Sequence, residues 1–455
     1  MLKGGRFYES ALIILLSVLL SALVFFYSRV FLYTSIFVLL GILLLYFYVK
    51  IRNFLLIYLF VIMVFPLSIY AKPPISYGIN DYHIIGGYIL LLVIFAFKVF
   101  FTSSDIRKQR QRIPISFIFL ESIVIIFTVV GFLKGFKSEW LLRESFYLSI
   151  YFLTYFLVDF SSVKDFVSKF EKIIFIASVI ILIEYCLRYY WLFTHFDLRR
   201  VVSQQANIAL FAFPLAFFAL FSQQSAMERF IRITAVLSCM LLAILSLQRS
   251  LWLIMFADII LGFAYFLFSL GVNKETAKKI IVILLIIALL TTIVMTVMNK
   301  YFDIVKLLRS RLRTLTEENL TEDKALNVRA EDFAEVKRMI QRDSFLGAGL
   351  GAPIFQKNTG LHKEVIDNSY AVLIFKIGIL GLAMLLLIYF GAIKDSLSIL
   401  LVRKTEYLYF AIPVGLINYL VISASSSAMF FYRFNVLAGI FIVLVLKSVT
   451  EGKCK

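Results

Sequence analysis

Four arginines and a carboxylate carry the chemistry this sequence could perform. Arg199 and Arg200 are adjacent in "FDLRRVVSQQ", Arg249 sits in "SLQRSLW", and Arg329 in "ALNVRAEDFAEVKRMIQRDS". A guanidinium presents a rigid fork of N–H donors that meets a carboxylate or phosphate with two parallel hydrogen bonds, where an ammonium supplies only a point charge. Farther along, "DNSYAVLIFKIGILGL" opens with Asp367, Asn368 and Ser369 before an apolar run, and His362 stands five residues ahead of Asp367. A carboxylate or imidazole there can orient or deprotonate a hydroxyl, and Asp367 or Asn368 can equally cap the helix that follows. With an ordinary pKa near 3.9, an aspartate is a weaker base than a histidine near 6.5. Cys186, Cys239 and Cys454 are scattered, the three histidines lie far apart, and no P-loop, GxSxG or Gly-rich dinucleotide motif occurs. Neither a metal site nor a cofactor is expected.

These side chains must be positioned by membrane helices. Hydrophobic residues make up 62% of the 455 and charged residues 16%, and the mean hydropathy is +0.93. Most of the chain therefore consists of apolar segments near or above the roughly 18 to 20 residues that cross a bilayer as a helix. Runs such as "IIVILLIIALLTTIVMTVM" are apolar on every side, whereas barrel strands would alternate. The expected fold is all-α, a polytopic bundle of about fourteen (12–14) spans. They fall near 8–28, 31–49, 54–71, 84–102, 114–134, 145–160, 173–193, 207–222, 231–248, 250–270, 279–298, 368–391, 405–424 and 427–447.

Alternate connections carry the cationic clusters, among them "KIRN", "RKQRQR", "SVKDFVSKFEK", "MERFIR" and "NKETAKK". The positive-inside rule then puts both termini in the cytoplasm. The first apolar stretch runs into the next span without a small-residue cleavage site and reads as retained. The net charge of +18 is this topological signal plus attraction to anionic lipid, and it needs no nucleic acid.

Residues 1–298 and 367–455 are thus two sets of spans around one long outer excursion, 299–366. A connection of that length is functional or disordered as a rule, and this one contains an amphipathic helix near 325–342. At about 100° per residue, Leu326, Phe333, Val336 and Ile340 share one stripe with Arg329 in its middle, while Glu331, Glu335, Arg338 and Arg342 face away. An arginine in a packed stripe is costly unless an anion meets it, either an internal carboxylate or a ligand phosphate.

The order of an Arg-bearing helix, "FLGAGLG" and the polar-headed "DNSYAVLIFKIGILGL" resembles the signature region of the O-antigen ligase and polymerase family, the Wzy-type bacterial polysaccharide polymerases and their ligase relatives. That family's second block reads His, then Asn, Ser or Gln, nine residues, then Gly-x-x-Gly. Here Asn368, Gly378 and Gly381 keep the spacing and Asp367 stands in the histidine's place; "SLQRSLW" resembles its outer Ser-x-x-Arg motif at Arg249. The motifs cover about a third of the chain.

The resemblance implies a glycosyltransferase acting at the outer leaflet of the bacterial cytoplasmic (inner) membrane on undecaprenyl-pyrophosphate-linked oligosaccharides, without metal or nucleotide sugar. Membrane lipids surround it, and a chain-length regulator protein is a partner the resemblance allows. Arg249 and Arg329 are the expected diphosphate ligands, Arg199 and Arg200 further candidates, Asp367 the acceptor-side residue and His362 its substitute. A diphosphate leaving group concentrates negative charge, and fixed guanidinium forks favour its departure.

Gly378 and Gly381 are expected to let their helix pack closely on a neighbour, and Asp367, within about 20° of Gly378 on the helical wheel, would be aimed by that contact. Glu184 and Arg188, four apart, are expected to pair. Asp258 and Lys376, each about eight residues below the outer end of a span, match in depth for an interhelical pair. Arg433 reads as snorkelling or facing the lipid diphosphate, Lys98 as snorkelling; Glu121 has no assigned partner.

Three functions compete. A polymerase and a ligase share the site and differ in acceptor, a lipid-linked repeat against the lipid A core. A lipid-linked oligosaccharide flippase should show repeats and midplane charges or broken helices. The outer-end arginines and structured loop favour the transferases, and the missing histidine with about fourteen spans favours the polymerase.

Overall fold

The computed structural model describes residues 114–158, 163–195, 204–220, 225–246, 248–270, 324–343, 346–356, 361–403 and 406–453, with isolated positions at 222, between 56 and 63 and between 282 and 296. In chain order the helices are α1 (Ile115–Leu133), α2 (Ser138–Leu157), α3 (Val163–His195), a 3-10 turn at Gln204–Ile208, α4 (Ala209–Ala219), α5 (Ala226–Ser246), α6 (Arg249–Leu270) and α7 (Lys324–Asp343). Two short strands follow, β1 (Ile354–Gln356) and β2 (Leu361–Lys363), then α8 (Ser369–Val402), α9 (Leu408–Ser425), a 3-10 turn at Ala428–Phe430 and α10 (Tyr432–Lys453).

Five of these are long and apolar enough to cross a membrane: Ile115–Leu133, Ala226–Ser246, Arg249–Leu267, Ser369–Val402 and Leu408–Ser425. The expectation of a helical membrane bundle holds for the described residues. The spans expected near 8–28, 31–49 and 84–102 lie outside them, as do those near 54–71 and 279–298 apart from isolated helical positions such as Leu56 and Leu285.

Helix bounds differ from the hydropathy reading where polar residues continue a helix beyond its apolar part. α2 begins at Ser138 rather than near 145, α3 takes in "VKDFVSKFEK", and α8 runs on to Val402. Hydrophobicity reports contact with lipid or core, whereas helix formation needs only backbone hydrogen bonding and tolerable propensity. α5 opens on a capping box, Ser225 N–H donating to Glu228 Oε2 at 3.1 Å and Glu228 N–H to Ser225 Oγ at 3.3 Å.

α4 and α9 pack on each other; α5 joins α4 to α3, α8 lies on α9 and α1, and α10 on α2. Where these helices meet, aromatic edges meet faces, as between Phe211 and Phe441 at 5.2 Å and Phe218 and Phe410 at 4.9 Å. A buried polar knot interrupts the apolar core. Asn435 Nδ2 donates to the Tyr147 and Met429 carbonyls at 2.8 Å each, its Oδ1 accepts from Tyr151 at 2.9 Å and from Tyr419, and the Tyr151 and Tyr389 hydroxyls lie 2.7 Å apart. Satisfying these groups avoids the roughly 1–3 kcal/mol that each would cost buried and unpaired.

The segment between α7 and α8 departs from an all-helical excursion: β1 and β2 pair antiparallel with Ile354 opposite Lys363. Before this hairpin, "GAGLG" enters the bundle. Ala348 N–H donates to the Phe375 carbonyl at 2.7 Å, Gly349 N–H to Lys376 at 2.9 Å and Leu350 N–H to Phe127 at 3.0 Å. Phe375 and Phe127 each stand six residues from an end of α8 and α1, so the segment reaches about 9 Å inside the helix ends. Irregular backbone at such depth survives only where protein covers it, and Ala348, Gly349, Leu350 and Gly351 are all buried.

α8 makes room by breaking. Gly378 has φ 71° and ψ 175°, a conformation nearly closed to residues with a Cβ. The break frees the Phe375 and Lys376 carbonyls, which an unbroken helix would pair with the amides of Ile379 and Leu380, to accept from the loop. Gly378 is therefore a break point, not the close helix–helix contact expected of it, and a Cβ at Gly381 would meet Ile377 of its own helix. A methyl at Gly131 of α1 would collide with the Leu350 carbonyl. Gly378→Ala should lower stability by about 1–3 kcal/mol and loosen the loop, read as a lower melting midpoint in detergent; an unchanged midpoint would show that the break tolerates a side chain.

The membrane charges pair otherwise than depth suggested. Asp258 accepts from Asn418 Nδ2 at 3.1 and 2.8 Å, and Lys376 is bonded to Glu144, so the Asp258–Lys376 pair does not form. Glu121 Oε1 accepts from Ser149 Oγ at 2.8 Å. Arg433 is buried, Nη1 donating to the Met63 carbonyl at 3.3 Å, and does not snorkel. Lys98 and the side chains of Glu184 and Arg188 lie outside the described residues.

Candidate functional site

α7 lies across the start of α8 and against β1, its apolar stripe anchored by the fully buried Val336. The bounds, 324–343, agree with the amphipathic segment read near 325–342. The stripe is shallower than its spacing suggests, because Phe333 is 47% exposed. Arg329 accordingly sits at the rim and not beneath a packed face.

There Arg329 meets Asp367. Its Nε and Nη2 are each 3.1 Å from Asp367 Oδ2, the two side chains being 46% and 47% exposed. An internal carboxylate thus meets the arginine, one of the two partners its position allowed. Water screens a pair this open, which contributes about 0.2–1 kcal/mol. Both groups remain accessible to a ligand from the loop end of the bundle.

Asp367 is held in place by its neighbours. Asn368 is the helix cap, its Oδ1 accepting from Ala371 N–H at 3.0 Å, which leaves the Asp367 carboxylate to Arg329. Ser369, fully buried, donates to the Ser426 carbonyl at 2.9 Å and accepts from Met429 N–H at 3.2 Å. The polar head of the stretch is thereby divided: one residue caps, one ties α8 to the α9–α10 turn, and one faces outward.

Of the remaining sequence candidates, His362 is exposed on β2, its ring centred 5.4 Å from that of its cross-strand partner Phe355. Arg249 opens α6 and is half-buried after a tight turn in which Gln248 N–H donates to Ser246 Oγ at 3.3 Å and Trp252 Nε1 to the Ala243 carbonyl at 2.7 Å. The Ser-x-x-Arg motif is thus the corner between α5 and α6. Arg199 and Arg200 lie outside the described residues.

Reasoning from sequence missed Glu144 beneath this rim and gave Lys376 a different partner. Glu144 and Lys376 are both fully buried and bonded to each other, Glu144 Oε2 accepts Gly351 N–H at 2.7 Å, and Lys376 Nζ lies 5.9 Å from the Phe430 ring centre. Beside them Arg143 forms a two-pronged pair with Glu364, just after β2, and Lys134 Nζ donates to the Ala348 carbonyl at 2.8 Å. The available signal was depth: Glu144 stands six residues into α2 and Lys376 seven into α8. A span started near 145 hid it.

The loop is consequently gripped at both ends and in its middle, and Arg329 and Asp367 lie on elements flanking it. No family model and no curated protein matches this chain.

Proposed function

We propose that this chain is a membrane glycosyltransferase that polymerises undecaprenyl-pyrophosphate-linked oligosaccharide repeats at the outer leaflet, as in the O-antigen ligase and polymerase family it resembles. The observation that carries the reading is the contact of Arg329 with Asp367, half-exposed and 38 residues apart in sequence. Two residues chosen from separate motifs meet where both side chains remain half-exposed.

In this reading about fourteen spans place both termini in the cytoplasm and the 299–366 excursion outside. Arg329 leaves Asp367 for the donor diphosphate, with Arg249 as the second expected cation and Arg199 and Arg200 as further ones. The guanidinium forks stabilise the charge that grows as the sugar C1–O bond to the diphosphate breaks. Asp367, released from its arginine, receives the acceptor hydroxyl proton as that oxygen forms the glycosidic bond to C1. Undecaprenyl diphosphate departs, and the lengthened chain remains on the acceptor's lipid carrier.

Asp367→Asn tests this directly. The cap belongs to Asn368, so the variant should fold and express as the parent does, while losing the carboxylate. Product chain length in cells at matched protein levels should collapse toward single repeats, and Asp367→His should retain more activity than Asp367→Asn. Full-length polymer from Asp367→Asn would remove Asp367 from the chemistry. In a deletion strain, polymerised chains that fail to reach lipid A core would instead indicate the ligase.

A further inference from the structure

We infer that Glu144 and Lys376 are positioning residues for the Arg329–Asp367 rim, acting through the buried "GAGLG" segment. Four consecutive amides of that segment, Ala348 to Gly351, all donate into the bundle, three to carbonyls of α8 and α1 and the fourth to the Glu144 carboxylate. The two contacts to α8, at the Phe375 and Lys376 carbonyls, exist because α8 is broken at Gly378. Glu144 is therefore the single side chain among these acceptors, and it reaches the loop from a third helix.

A carboxylate at full burial requires a counter-charge, and Lys376 supplies it from within the stretch of α8 that bonds the loop. One ion pair thus fastens α2, α8 and the loop together. The loop connects α7, which carries Arg329, to the hairpin, whose exit carries Glu364 and then Asp367. Arg143, adjacent to Glu144, holds that exit through Glu364. Neighbouring residues on one helix hold the last amide of the buried segment, Gly351, and the residue just after the hairpin, Glu364, so the registry of Arg329 with Asp367 is set about two turns along α2. A loop freed from Glu144 would keep its covalent path but lose the fixed distance between its ends.

This inference rests on the proposed function only for its consequence in catalysis; the anchoring itself is testable separately. Two double variants remove the buried charges equally. Glu144→Leu/Lys376→Met offers no acceptor to Gly351, whereas Glu144→Gln/Lys376→Met keeps an amide oxygen for it. Replacing a buried ion pair with neutral groups of similar volume is often tolerated, so both variants should fold, the Leu/Met variant with the lower melting midpoint because its Gly351 amide loses its acceptor. The loop is read by maleimide labelling of Leu350→Cys, at a position fully buried in the parent, in purified chains whose three native cysteines are replaced.

Labelling should stay slow in the parent and the Gln/Met variant and rise at least about tenfold in the Leu/Met variant, which should also lose polymer while the Gln/Met variant keeps it. Equal labelling in the two double variants would overturn the anchor, and fast labelling with undiminished polymer would overturn the positioning role. Absence of transferase activity from the parent chain would instead refute the proposed function and leave the labelling contrast to decide the anchor.

Discussion

Lys376→Met alone should cost about 3–5 kcal/mol, the usual penalty for stripping one partner from a buried ion pair. Glu144 would keep the Gly351 amide, while the neighbouring Arg143 is paired with Glu364. A carboxylate in that setting must either stay charged without a counter-ion or take up a proton, and either is expensive. The expected result is a sharp fall in the yield of monodisperse protein in detergent and a lowered melting midpoint. Adding Glu144→Leu to the same chain should recover most of both, because it removes the stranded charge. A single variant as stable as the parent would mean that water reaches Glu144 and the pair is not dry.

Arg329→Lys should lower turnover about a hundredfold, the scale for losing one preorganised contact to a developing oxyanion, while stability moves by no more than about 1 kcal/mol. The separation of these effects follows from exposure. With both partners about half exposed, the pair with Asp367 does little to hold the fold, and an ammonium can still approach the carboxylate. The fork is what changes: Nε and Nη2 approach Asp367 together, and the same two donors would span two diphosphate oxygens, which a lysine cannot do. Purified Arg329→Lys protein, assayed on an undecaprenyl-diphosphate-linked repeat, is the measurement. Turnover equal to the parent's would remove Arg329 from the donor site.

Several features were legible in consecutive residues. Uniform apolarity gave the membrane bundle, and the recurrence of Leu326, Phe333, Val336 and Ile340 gave α7 to within a residue at each end, because periodicity is a property of the chain itself. The polar head at Asp367 to Ser369 gave the start of α8, since capping chemistry is local. Which of the adjacent polar residues would cap was not legible, as Asp and Asn serve nearly equally; the fold decided it by offering Arg329 to Asp367.

What only the tertiary structure decided is the set of partners. Depth along a span admits several pairings; it matched Lys376 with Asp258, while Glu144 fell just ahead of a span started near 145. Packing chose Glu144 because α8 lies against α1 and reaches the α2 carboxylate, while Asp258 faces Asn418 of α9. The same holds for the glycines. Gly378 and Gly381 at helical spacing predict a smooth packing face from sequence, and nothing local reveals that the amides of Ala348 and Gly349, some thirty residues earlier, claim two carbonyls of that helix. Hydrogen-bond donors from a distant segment compete with the helix's own, and a residue without a Cβ lets them win. Sequence thus determined the helices and the residue types at one end of the bundle, and the fold determined the hairpin between α7 and α8 and which of those charges face each other, because contact depends on how whole helices stack and not on the order of residues along any one of them.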